Sequence, residues 1–389
     1  MSSQILLHTL PTAKRLRVLF VSRSLTGGGA ERIVSTLLCH LDREQNRPSL
    51  CLMRDEVLYP LPEDVSVTVL QKQKPWHIPR AILRLRKTIQ DTRPDVIVSN
   101  MMYTNWVTGL ARAGSSYKPR WIARFAADPY SVYGRWFYFL MRPLMGRLLR
   151  NADALVANSA ALADRSSRYF HLSDQTINII FNPIDFDRID AASSEPLEIP
   201  VVCEHPIILT VGRLTRQKRP DLLIEAFALV HREMPAALWI CGEGPLRERL
   251  QRRIAALGLH DAVTLWGFQP NPHALMRRAT VFVLTSDFEG MPNALLEAQA
   301  LGLPVVSTRC PTGPDEIIED GVTGDLVPPG DAKAVAGAIL GMLINHERRA
   351  AMARRGQQRV HQLFHVRKIM SDWEDLLSHV VKGTPECAG

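Results

Sequence analysis

The second half of the chain repeats one pattern, a short apolar run followed by a glycine-bearing turn and then a helical segment. The runs cover residues 207–211, 237–241, 263–265 and 280–284, and they have the continuous apolar character of strands buried on both faces. Alternation of this kind predicts an open parallel α/β sheet, in which the carboxyl ends of the strands share one edge. Ligands bind at that edge. We therefore expect a binding site at the glycine turns.

Two carboxylates, Glu289 and Glu297, lie around the last of these turns. Asn293 is a good N-cap for the following helix, which is predicted to end at Gly302. The N–H groups of residues 294–296 would then lack intrahelical partners and attract phosphate. A diphosphate on this turn, with a carboxylate on each side to bind hydroxyls, outlines a nucleotide-sugar site. An ordinary helix N-terminus with acidic neighbours fits the same residues.

The turn after residues 207–211 carries a close-approach glycine and several cations. It reads Gly212-Arg213-Leu214-Thr215-Arg216-Gln217-Lys218-Arg219. Four positive charges at the carboxyl end of a strand suit a bound anion. The next two turns place Gly242, Gly267 and Phe268 at the same predicted edge.

Several segments, taken in order, resemble the retaining glycosyltransferases of family 4, which have the two-domain GT-B architecture. They are GRLTRQKRPDLLIEAF, GEGP, GF, FEGMPNALLEAQALGLPVVST, CPTGPDEII and GVTGDLVPPGD. The CPTGP pattern is similar to that of bacterial members that build lipid-linked oligosaccharides and polysaccharides. In the first half the resemblance rests on GGGAER, VANS and NPID.

The resemblance implies roles for the residues that match family motifs. Arg213 and Lys218 would clamp the donor diphosphate, Glu289 would contact the donor sugar, and Glu297 would bind the ribose. In this scheme the proton of the acceptor hydroxyl passes to the departing phosphate, so no protein nucleophile, metal or other cofactor is expected. The other implied donor-site residues are Gly28, Gly29, Gly212, Gly242, Gly267, Phe268, Gly290, Met291, Pro292, Asn293 and Leu296.

Two features depart from the family pattern. Many members carry a histidine after the strand equivalent to residues 120–124, whereas this chain has Asp128 in that turn. Asp128 either takes its place as a catalytic partner of the attacking hydroxyl or acts as a turn former before Pro129. The triplet Asp185-Phe186-Asp187 matches the metal-binding D-x-D of the other major transferase fold, but its position beside the predicted linker favours turn chemistry.

Length and alternation predict two Rossmann-like, doubly wound domains that face a cleft, because 389 residues exceed one ordinary core. The first, over residues 1–188, is expected to bind the acceptor and associate with the membrane. A linker over 189–206 leads to the donor-binding domain over 207–363. The last segment, 364–389, is predicted to hold a helix that crosses back to the first domain, and a tail.

Strands and helices alternate in the first half as well. Strands are predicted at 17–22, 49–53, 66–70, 95–99, 120–124 and 153–157, with helices near 30–41, 80–91, 103–113, 135–150 and 159–170. The first turn contains Gly28 and Gly29, but a nicotinamide dinucleotide is not expected. Arg32 occupies the position of the third glycine, and the next strand does not end in an acid. Gly28 and Gly29 either contribute to the binding site or only form a tight turn before the helix.

Positive charge is concentrated in the first half, where residues 1–195 hold 26 Lys and Arg against 17 Asp and Glu. This asymmetry predicts an anionic partner. A basic, aromatic segment favours an anionic membrane surface, although a core helix with snorkelling arginines fits the same pattern. Nucleic acid is not expected, because the chain has no nucleic-acid module. The residues that carry the segment are Arg135, Trp136, Arg142, Arg147 and Arg150.

Six scattered cysteines without metal-ligand spacing predict reduced thiols, and no apolar run approaches the ~20 residues of a membrane span. We expect a cytoplasmic enzyme that is peripheral on the inner face of the cell membrane. It would transfer a hexose, with retention, from a nucleotide-sugar, a UDP-sugar, to a polyprenyl-pyrophosphate-linked saccharide in exopolysaccharide or lipopolysaccharide assembly. The alternatives are a nucleotide-sugar 2-epimerase of the same fold and a catalytically silent, membrane-binding partner of another transferase.

Overall fold

The computed structural model describes residues 15–71, 77–130, 135–197 and 204–383, and for 135–140 only the backbone. The chain divides into two compact units. The first takes its described residues from 1–123, 151–153 and 374–389, and the second from 124–150 and 154–373. The predicted domain limits and linker remain predictions.

The elements of the first half alternate as the sequence predicts. They are β1 (Leu16–Ser22), α1 (Gly29–His40), β2 (Asn46–Leu52), β3 (Ser66–Val69), α2 (Ile78–Thr92), β4 (Val96–Asn100), α3 (Met102–Ala113), β5 (Arg120–Phe125), α4 (Arg135–Leu149), β6 (Ala154–Ala157), α5 (Ala160–Phe170), β7 (Ile177–Ile179) and α6 (Phe186–Ser193). The strands form a seven-stranded sheet in the order β3-β2-β1-β4-β5-β6-β7. The sequence missed β7 and α6, and α6 includes the start of the predicted linker.

The second half continues the alternation as far as its last strand, and three helices follow that strand. Its elements are β8 (Ile207–Val211), α7 (Pro220–Glu233), β9 (Ala237–Cys241), α8 (Arg247–Ala256), β10 (Val263–Gly267), α9 (His273–Met276), β11 (Val281–Leu284), α10 (Asn293–Ala300), β12 (Val305–Thr308), α11 (Pro314–Ile317), β13 (Asp325–Val327), α12 (Ala332–Ile344), α13 (His346–Phe364) and α14 (Val366–Lys382). A short 3₁₀ turn, Arg216–Lys218, precedes α7.

The six strands of the second sheet are parallel and lie in the order β10-β9-β8-β11-β12-β13. The direction of winding therefore reverses between β8 and β11. In an open α/β sheet this reversal leaves a crevice at the carboxyl ends of the two strands, where ligands bind. The turns that follow β8 and β11 are the two turns with the strongest sequence signal.

Helices cover both faces of the second sheet. Ile208 belongs to a buried cluster with Phe227 of α7, whereas its neighbour Leu209 belongs to a second cluster with Leu295 of α10. Successive strand residues point to opposite faces. Because helices cover both faces of this sheet, its strands carry apolar residues at consecutive positions. This explains the uninterrupted apolar runs of the sequence.

The carboxy-terminal helix returns to the first unit. From Glu374 onward the chain belongs to that unit, and the Glu374 carboxylate accepts a hydrogen bond from the Asp42 N–H at 2.8 Å. Trp373 and Leu377 of this helix are buried. Within the described ranges, no helix has the length and apolar character needed to cross a membrane.

Candidate active site

The turns after β8 and β11 are joined by hydrogen bonds. The Asp287 N–H donates to the Gln217 carbonyl at 2.9 Å, and Gln217 Nε2 donates to the Phe288 carbonyl at the same distance. Thr285 Oγ1 donates to the Lys218 carbonyl at 3.0 Å. These bonds fasten the cationic turn to the loop that carries Glu289. Two motifs that are distant in sequence therefore form one site at the reversal of the sheet.

Lys218 and Glu289 are in direct contact within this site. The Lys218 ammonium donates to Glu289 Oε1, and Ser286 Oγ donates to the same oxygen at 2.6 Å. Thr312 Oγ1 donates to the Glu289 carbonyl. Only 6% of Glu289 is exposed. Burial of a carboxylate is tolerated when a cation and hydrogen bonds compensate it, and both are present here.

Cys310 is buried close to Lys218 and Glu289. Burial raises the pKa of the Cys310 thiol to about 12, and the Glu289 carboxylate acts in the same direction while Lys218 opposes it. Its Sγ lies 3.6 Å from the Thr312 carbonyl, to which it donates. The thiol therefore stays protonated near neutral pH and does not supply a nucleophile.

Glu297 lies one turn inside α10 and is 4% exposed. His273 Nε2 is 3.3 Å from Glu297 Oε2, which is ion-pair range. Neither ring nitrogen of His273 makes a hydrogen bond with a described group, so the angle at this contact is unfavourable. The two groups are therefore in polar contact without a hydrogen bond. The assignment of Glu297 to a ribose remains a prediction.

The start of α10 differs from the prediction. Pro292, and not Asn293, is the N-cap, and its carbonyl accepts from the N–H groups of Leu295 at 3.0 Å and Leu296 at 3.3 Å. The prediction that Asn293 caps the helix is therefore wrong, because Asn293 Oδ1 accepts from Asn182 instead, at 2.6 Å. The N–H groups of Leu295 and Leu296 therefore already have a partner. The prediction that they are open to phosphate is also wrong.

The predicted end of α10 is confirmed. Gly302 has a φ of 69°, in the left-handed region, and follows the C-cap residue Leu301. The Leu303 N–H donates to the Ala298 carbonyl at 2.9 Å, which is the bond expected after a glycine in this position.

The glycine turns of neighbouring strands lie side by side. The Gly212 N–H donates to the Cys241 carbonyl at 2.9 Å, and the Gly242 N–H donates to the Gly267 carbonyl at 2.7 Å. A Cβ on Gly242 would lie 2.0 Å from the Gly212 carbonyl oxygen, so no other residue fits there. Phe268 follows these turns and is 50% exposed.

Gly290 brings a further turn against the Glu289 loop. A Cβ at Gly290 would lie 2.3 Å from the Ala126 carbonyl oxygen, so the turn after β5 contacts this loop closely. Met291 is buried on the other side of Gly290, and Leu296 is buried within α10. Close backbone contact therefore requires glycine at position 290 whatever its role toward a donor.

Asp128, in the same turn, is fully buried. It accepts two hydrogen bonds from Arg165, from Nε at 3.1 Å and from Nη2 at 2.8 Å. Its Oδ1 also accepts from the Tyr130 N–H at 3.2 Å, which is the turn-forming bond of the structural alternative. A contact between Asp128 and an attacking hydroxyl remains a prediction. No local pattern in the sequence indicates Arg165 as the partner of Asp128.

Arg213 follows β8 directly and its side chain is exposed. It makes no ion pair with any residue in the described ranges, so its charge faces solvent near the Lys218 turn. Gly28 and Gly29 belong to the first unit, where Gly28 is the N-cap of α1 and its N–H donates to the Thr26 carbonyl at 2.7 Å.

The basic segment of α4 has two kinds of surface. Met145 and Leu149 are buried, whereas Arg147 and Arg150 are exposed. Arg142 contacts His171 and lies over the Tyr169 ring, 5.3 Å from its centroid. The side chains of Arg135 and Trp136 lie outside the described residues. This part of α4 therefore packs one face on the protein and presents cations on the other.

The D-x-D triplet has a local role. Asp185 is the N-cap of α6 and accepts from the Arg188 N–H at 3.1 Å, and Asp187 lies in the first helical turn. Both positions favour carboxylates because the helix dipole is positive there. In the part of the chain that the structure describes, no group of three or more His, Cys, Asp or Glu side chains is placed to hold a metal ion.

Sequence reasoning missed a buried polar cluster beneath α10. Arg124 Nη2 donates to Asn182 Oδ1 at 2.7 Å, and Asn158 Nδ2 approaches the same oxygen at 3.5 Å. Burial lowers the pKa of Arg124 to about 10, so the guanidinium remains cationic at neutral pH. Asn158 and Asn182 come from the VANS and NPID segments, whose resemblance to the family was the available signal.

Two family profiles match the chain. The profile described as Glycosyltransferase Family 4 matches residues 27–188, and the one described as Glycosyl transferases group 1 matches residues 198–359. Together they take in most of the chain. The chain belongs to the family 4 glycosyltransferases. This glycosyltransferase has the GT-B fold, with one Rossmann-like parallel sheet in each half.

Two curated relatives from Campylobacter jejuni align with nearly the whole of this family 4 glycosyltransferase. The N-acetylgalactosamine-N,N'-diacetylbacillosaminyl-diphospho-undecaprenol 4-alpha-N-acetylgalactosaminyltransferase is 29% identical over 86% of this chain and 92% of its own. The GalNAc-alpha-(1->4)-GalNAc-alpha-(1->3)-diNAcBac-PP-undecaprenol alpha-1,4-N-acetyl-D-galactosaminyltransferase is 25% identical over 94% and 99%. A crystal structure of Anabaena HepE in complex with UDP-glucose superimposes with a TM-score of 0.75 at 21% identity, covering 94% of this chain and 100% of that one.

Proposed function

We propose that this glycosyltransferase moves a hexose from a UDP-sugar to a polyprenyl-diphosphate-linked saccharide, with retention of the anomeric configuration. The observation that carries the proposal is the contact between Lys218 and Glu289 at the reversal of the second sheet. A cation and a carboxylate held together at this edge match the two ends of a diphospho-sugar. The Campylobacter relatives act, by their names, on undecaprenol-diphosphate-linked saccharides.

The donor would occupy the turns after β8 and β11. Its diphosphate lies against Lys218 and the exposed guanidinium of Arg213, and its sugar hydroxyls face Glu289. Its ribose hydroxyls face Glu297. The HepE structure that shares this fold holds UDP-glucose. Uridine is therefore our choice for the base, placed near the exposed ring of Phe268.

The charges of the site support departure of the nucleotide. Breaking the bond between the anomeric carbon and the phosphate oxygen leaves negative charge on UDP, which Lys218 and Arg213 stabilise. The acceptor hydroxyl forms its bond to the anomeric carbon on the face that UDP leaves, and its proton passes to the departing phosphate oxygen. These reaction steps use neither a metal nor a protein nucleophile.

A lipid-linked acceptor places the enzyme at an anionic membrane surface, on the inner face of the cell membrane. The excess of Lys and Arg in residues 1–195 supports this placement. Arg147 of α4, and Arg150 one residue beyond the helix, are exposed beside the packed residues Met145 and Leu149, so two cations lie on the exposed side of this segment.

Transfer is tested by incubating the protein with nucleotide-sugars and a polyprenyl-diphosphate-linked disaccharide. We expect one UDP-sugar to raise the mass of the acceptor by one hexose or N-acetylhexosamine, and NMR to show the donor's anomeric configuration in the product. A change of the donor to its epimer without acceptor would support the 2-epimerase alternative. No reaction with any donor would contradict the proposal and favour the catalytically silent partner.

The membrane surface is tested by sedimentation with vesicles that contain phosphatidylglycerol. The double variant R147E/R150E should bind these vesicles at least several-fold more weakly than the wild type. The matched control is R249E/R252E, which makes the same charge change on exposed α8. Equal binding by R147E/R150E and the wild type would remove α4 from the membrane surface.

A further inference from the structure

The Glu316 carboxylate of α11 caps the amino terminus of α5. Its Oε2 accepts from the Ala160 N–H at 2.9 Å, and its Oε1 accepts from the Ala161 N–H at 3.0 Å. The next N–H, that of Leu162, donates to Ser159 Oγ at 3.1 Å. The first N–H groups of a helix have no partner within the helix, and a carboxylate is favoured there because the helix dipole is positive. In α5 two of these groups find their partner at least 155 positions away in the chain.

The backbone that carries Glu316 is held by α13. Arg359 Nη2 donates to the Glu316 carbonyl at 3.2 Å, and Arg359 Nε donates to the Ile317 carbonyl at 3.1 Å. α5 follows a strand of the first sheet, whereas α11 follows a strand of the second. The Glu316 carboxylate therefore joins an element of one sheet to an element of the other.

The segment before Glu316 contacts the loop that carries Glu289. Thr312 Oγ1 donates to the Glu289 carbonyl. A Cβ at Gly313 would lie 2.7 Å from the Gly290 carbonyl oxygen, so the two backbones touch there. This short segment therefore connects the Glu289 loop to α5.

A second set of contacts leads from α5 back to the same loop. Arg165 of α5 donates two hydrogen bonds to Asp128 in the turn after β5, at 3.1 and 2.8 Å. That turn meets the loop where a Cβ at Gly290 would lie 2.3 Å from the Ala126 carbonyl oxygen. The contacts form a closed ring, in which Glu316 is a link between α5 and the second sheet.

We propose that Glu316 is a positioning residue for the transfer step. It holds α5, and through α5 the turn that carries Asp128, against the loop that carries Glu289. The inference rests on the proposed function, in which Glu289 faces the donor sugar. The first half of the chain is predicted to bind the acceptor, whose hydroxyl must reach the anomeric carbon of that sugar. A misplacement of about 1 Å in such a geometry costs about a hundredfold in rate.

The variant E316A removes both acceptors of the α5 N–H groups. Assayed below its unfolding temperature with saturating acceptor, it should have a kcat lower by about tenfold to a hundredfold. Its affinity for UDP should equal that of the wild type, because Lys218 and Arg213 both follow β8 and make no contact with Glu316. A merely structural role would lower the melting temperature and leave the kcat of the folded enzyme unchanged. E316Q keeps the size of the side chain and one acceptor oxygen, so its kcat should be intermediate.

The matched control is D315A. Asp315 is the neighbouring carboxylate of α11, and it pairs with Arg309 at 3.1 Å while both side chains are exposed. Exposed pairs of this kind contribute little to stability. D315A should therefore have the kcat and the UDP affinity of the wild type.

Hydrogen exchange tests the contact even if E316A does not fold. In the wild type with isotope-labelled alanine, NMR should show slow exchange of the Ala160 and Ala161 amides. In folded E316A or E316Q at least one of these amides should exchange faster by about tenfold or more, because opening there no longer breaks a bond to Glu316. Exchange of both amides at the unprotected rate in the wild type would overturn the inference.

The outcomes distinguish this inference from the proposed function. If the wild type transfers no sugar, the proposed function fails, and the inference with it. If the wild type transfers sugar and a folded E316A has the same kcat, only the inference is overturned. Loss of UDP binding together with transfer in a folded E316A would also overturn the inference alone.

Discussion

The Lys218 ammonium contacts the Glu289 carboxylate although the two residues are 71 positions apart in the chain. The Lys218 side chain is 20% exposed and that of Glu289 is 7% exposed. In this arrangement the two charges compensate each other at the place where a donor would bind. In the proposed function a diphosphate would compete with Glu289 for Lys218, so donor binding and rearrangement of this pair would be linked.

Removal of the Lys218 charge should reduce transfer strongly. In the proposed function K218M loses a cation that would face the developing charge of UDP, and groups of this kind contribute about a hundredfold to a thousandfold in kcat. Steady-state rates with a saturating acceptor measure the effect. A K218M enzyme within fivefold of the wild-type rate would remove Lys218 from the mechanism.

The contact between Lys218 and Glu289 should also affect the thermal stability of the protein. K218M leaves the buried Glu289 carboxylate without its cation, and breaking a buried pair in this way costs about 3 kcal/mol. Adding E289Q removes the uncompensated charge, so the double variant K218M/E289Q should unfold at a higher temperature than K218M. Additive losses in thermal unfolding would show that the two side chains are independent.

A substitution at Gly242 tests the close contact between the glycine turns of neighbouring strands more directly than a substitution at a charged residue does. It has a φ of 144°, and a Cβ there would lie 2.0 Å from a backbone oxygen. G242A should therefore abolish UDP binding or folding. In contrast, Gly337 lies in α12 with nothing within 4 Å of a Cβ. G337A should stabilise the protein by about 0.5 to 1 kcal/mol, because alanine favours a helix interior. Equal behaviour of the two variants contradicts this account.

The sequence predicted the fold well because local patterns determine it. Apolar runs and glycine turns mark the strands of a buried parallel sheet, and the sheet order places β8 and β11 next to each other. The contact between Lys218 and Glu289 then follows from two separate motifs that meet at one edge. The two family profiles confirm the expected transferase family.

The parts that the sequence missed depend on distant contacts. Asn293 looked like an N-cap, but Asn182, 111 positions away, occupies its oxygen. Arg165 holds Asp128 across 37 positions. Neither partner carries a local signal, because any exposed arginine or turn asparagine has the same appearance in sequence.

The cysteines should differ in reactivity. Burial raises the pKa values of Cys51, Cys241 and Cys310 to about 12, whereas Cys39 is exposed. Since the thiolate is the reactive form, iodoacetamide at pH 8 should label Cys39 in the native protein and leave the other three unmodified. Peptide mass spectrometry checks this, with the urea-unfolded protein as the control. Rapid native labelling of Cys310 would contradict its burial beside Glu289.

His365 should make stability depend on pH. Burial lowers its pKa, and His361 and Arg367 act in the same direction, against Asp187 and Asp185. As the pH falls through the unfolded-state value of about 6.5, the unfolded chain binds a proton that the folded chain resists, so stability is lost. Urea unfolding between pH 7.5 and about 5.5 should show this loss, and H365Q should reduce it. The control is the exposed H260Q, and an unchanged slope in H365Q would contradict the assignment.

Calorimetric titration of UDP into the wild type and K218M tests the donor site most directly. We expect the wild type to bind UDP at one site and K218M to bind it at least tenfold more weakly while remaining folded. Absence of binding to the wild type, or equal affinity in the two proteins, would contradict a diphosphate site built on Lys218 and Glu289.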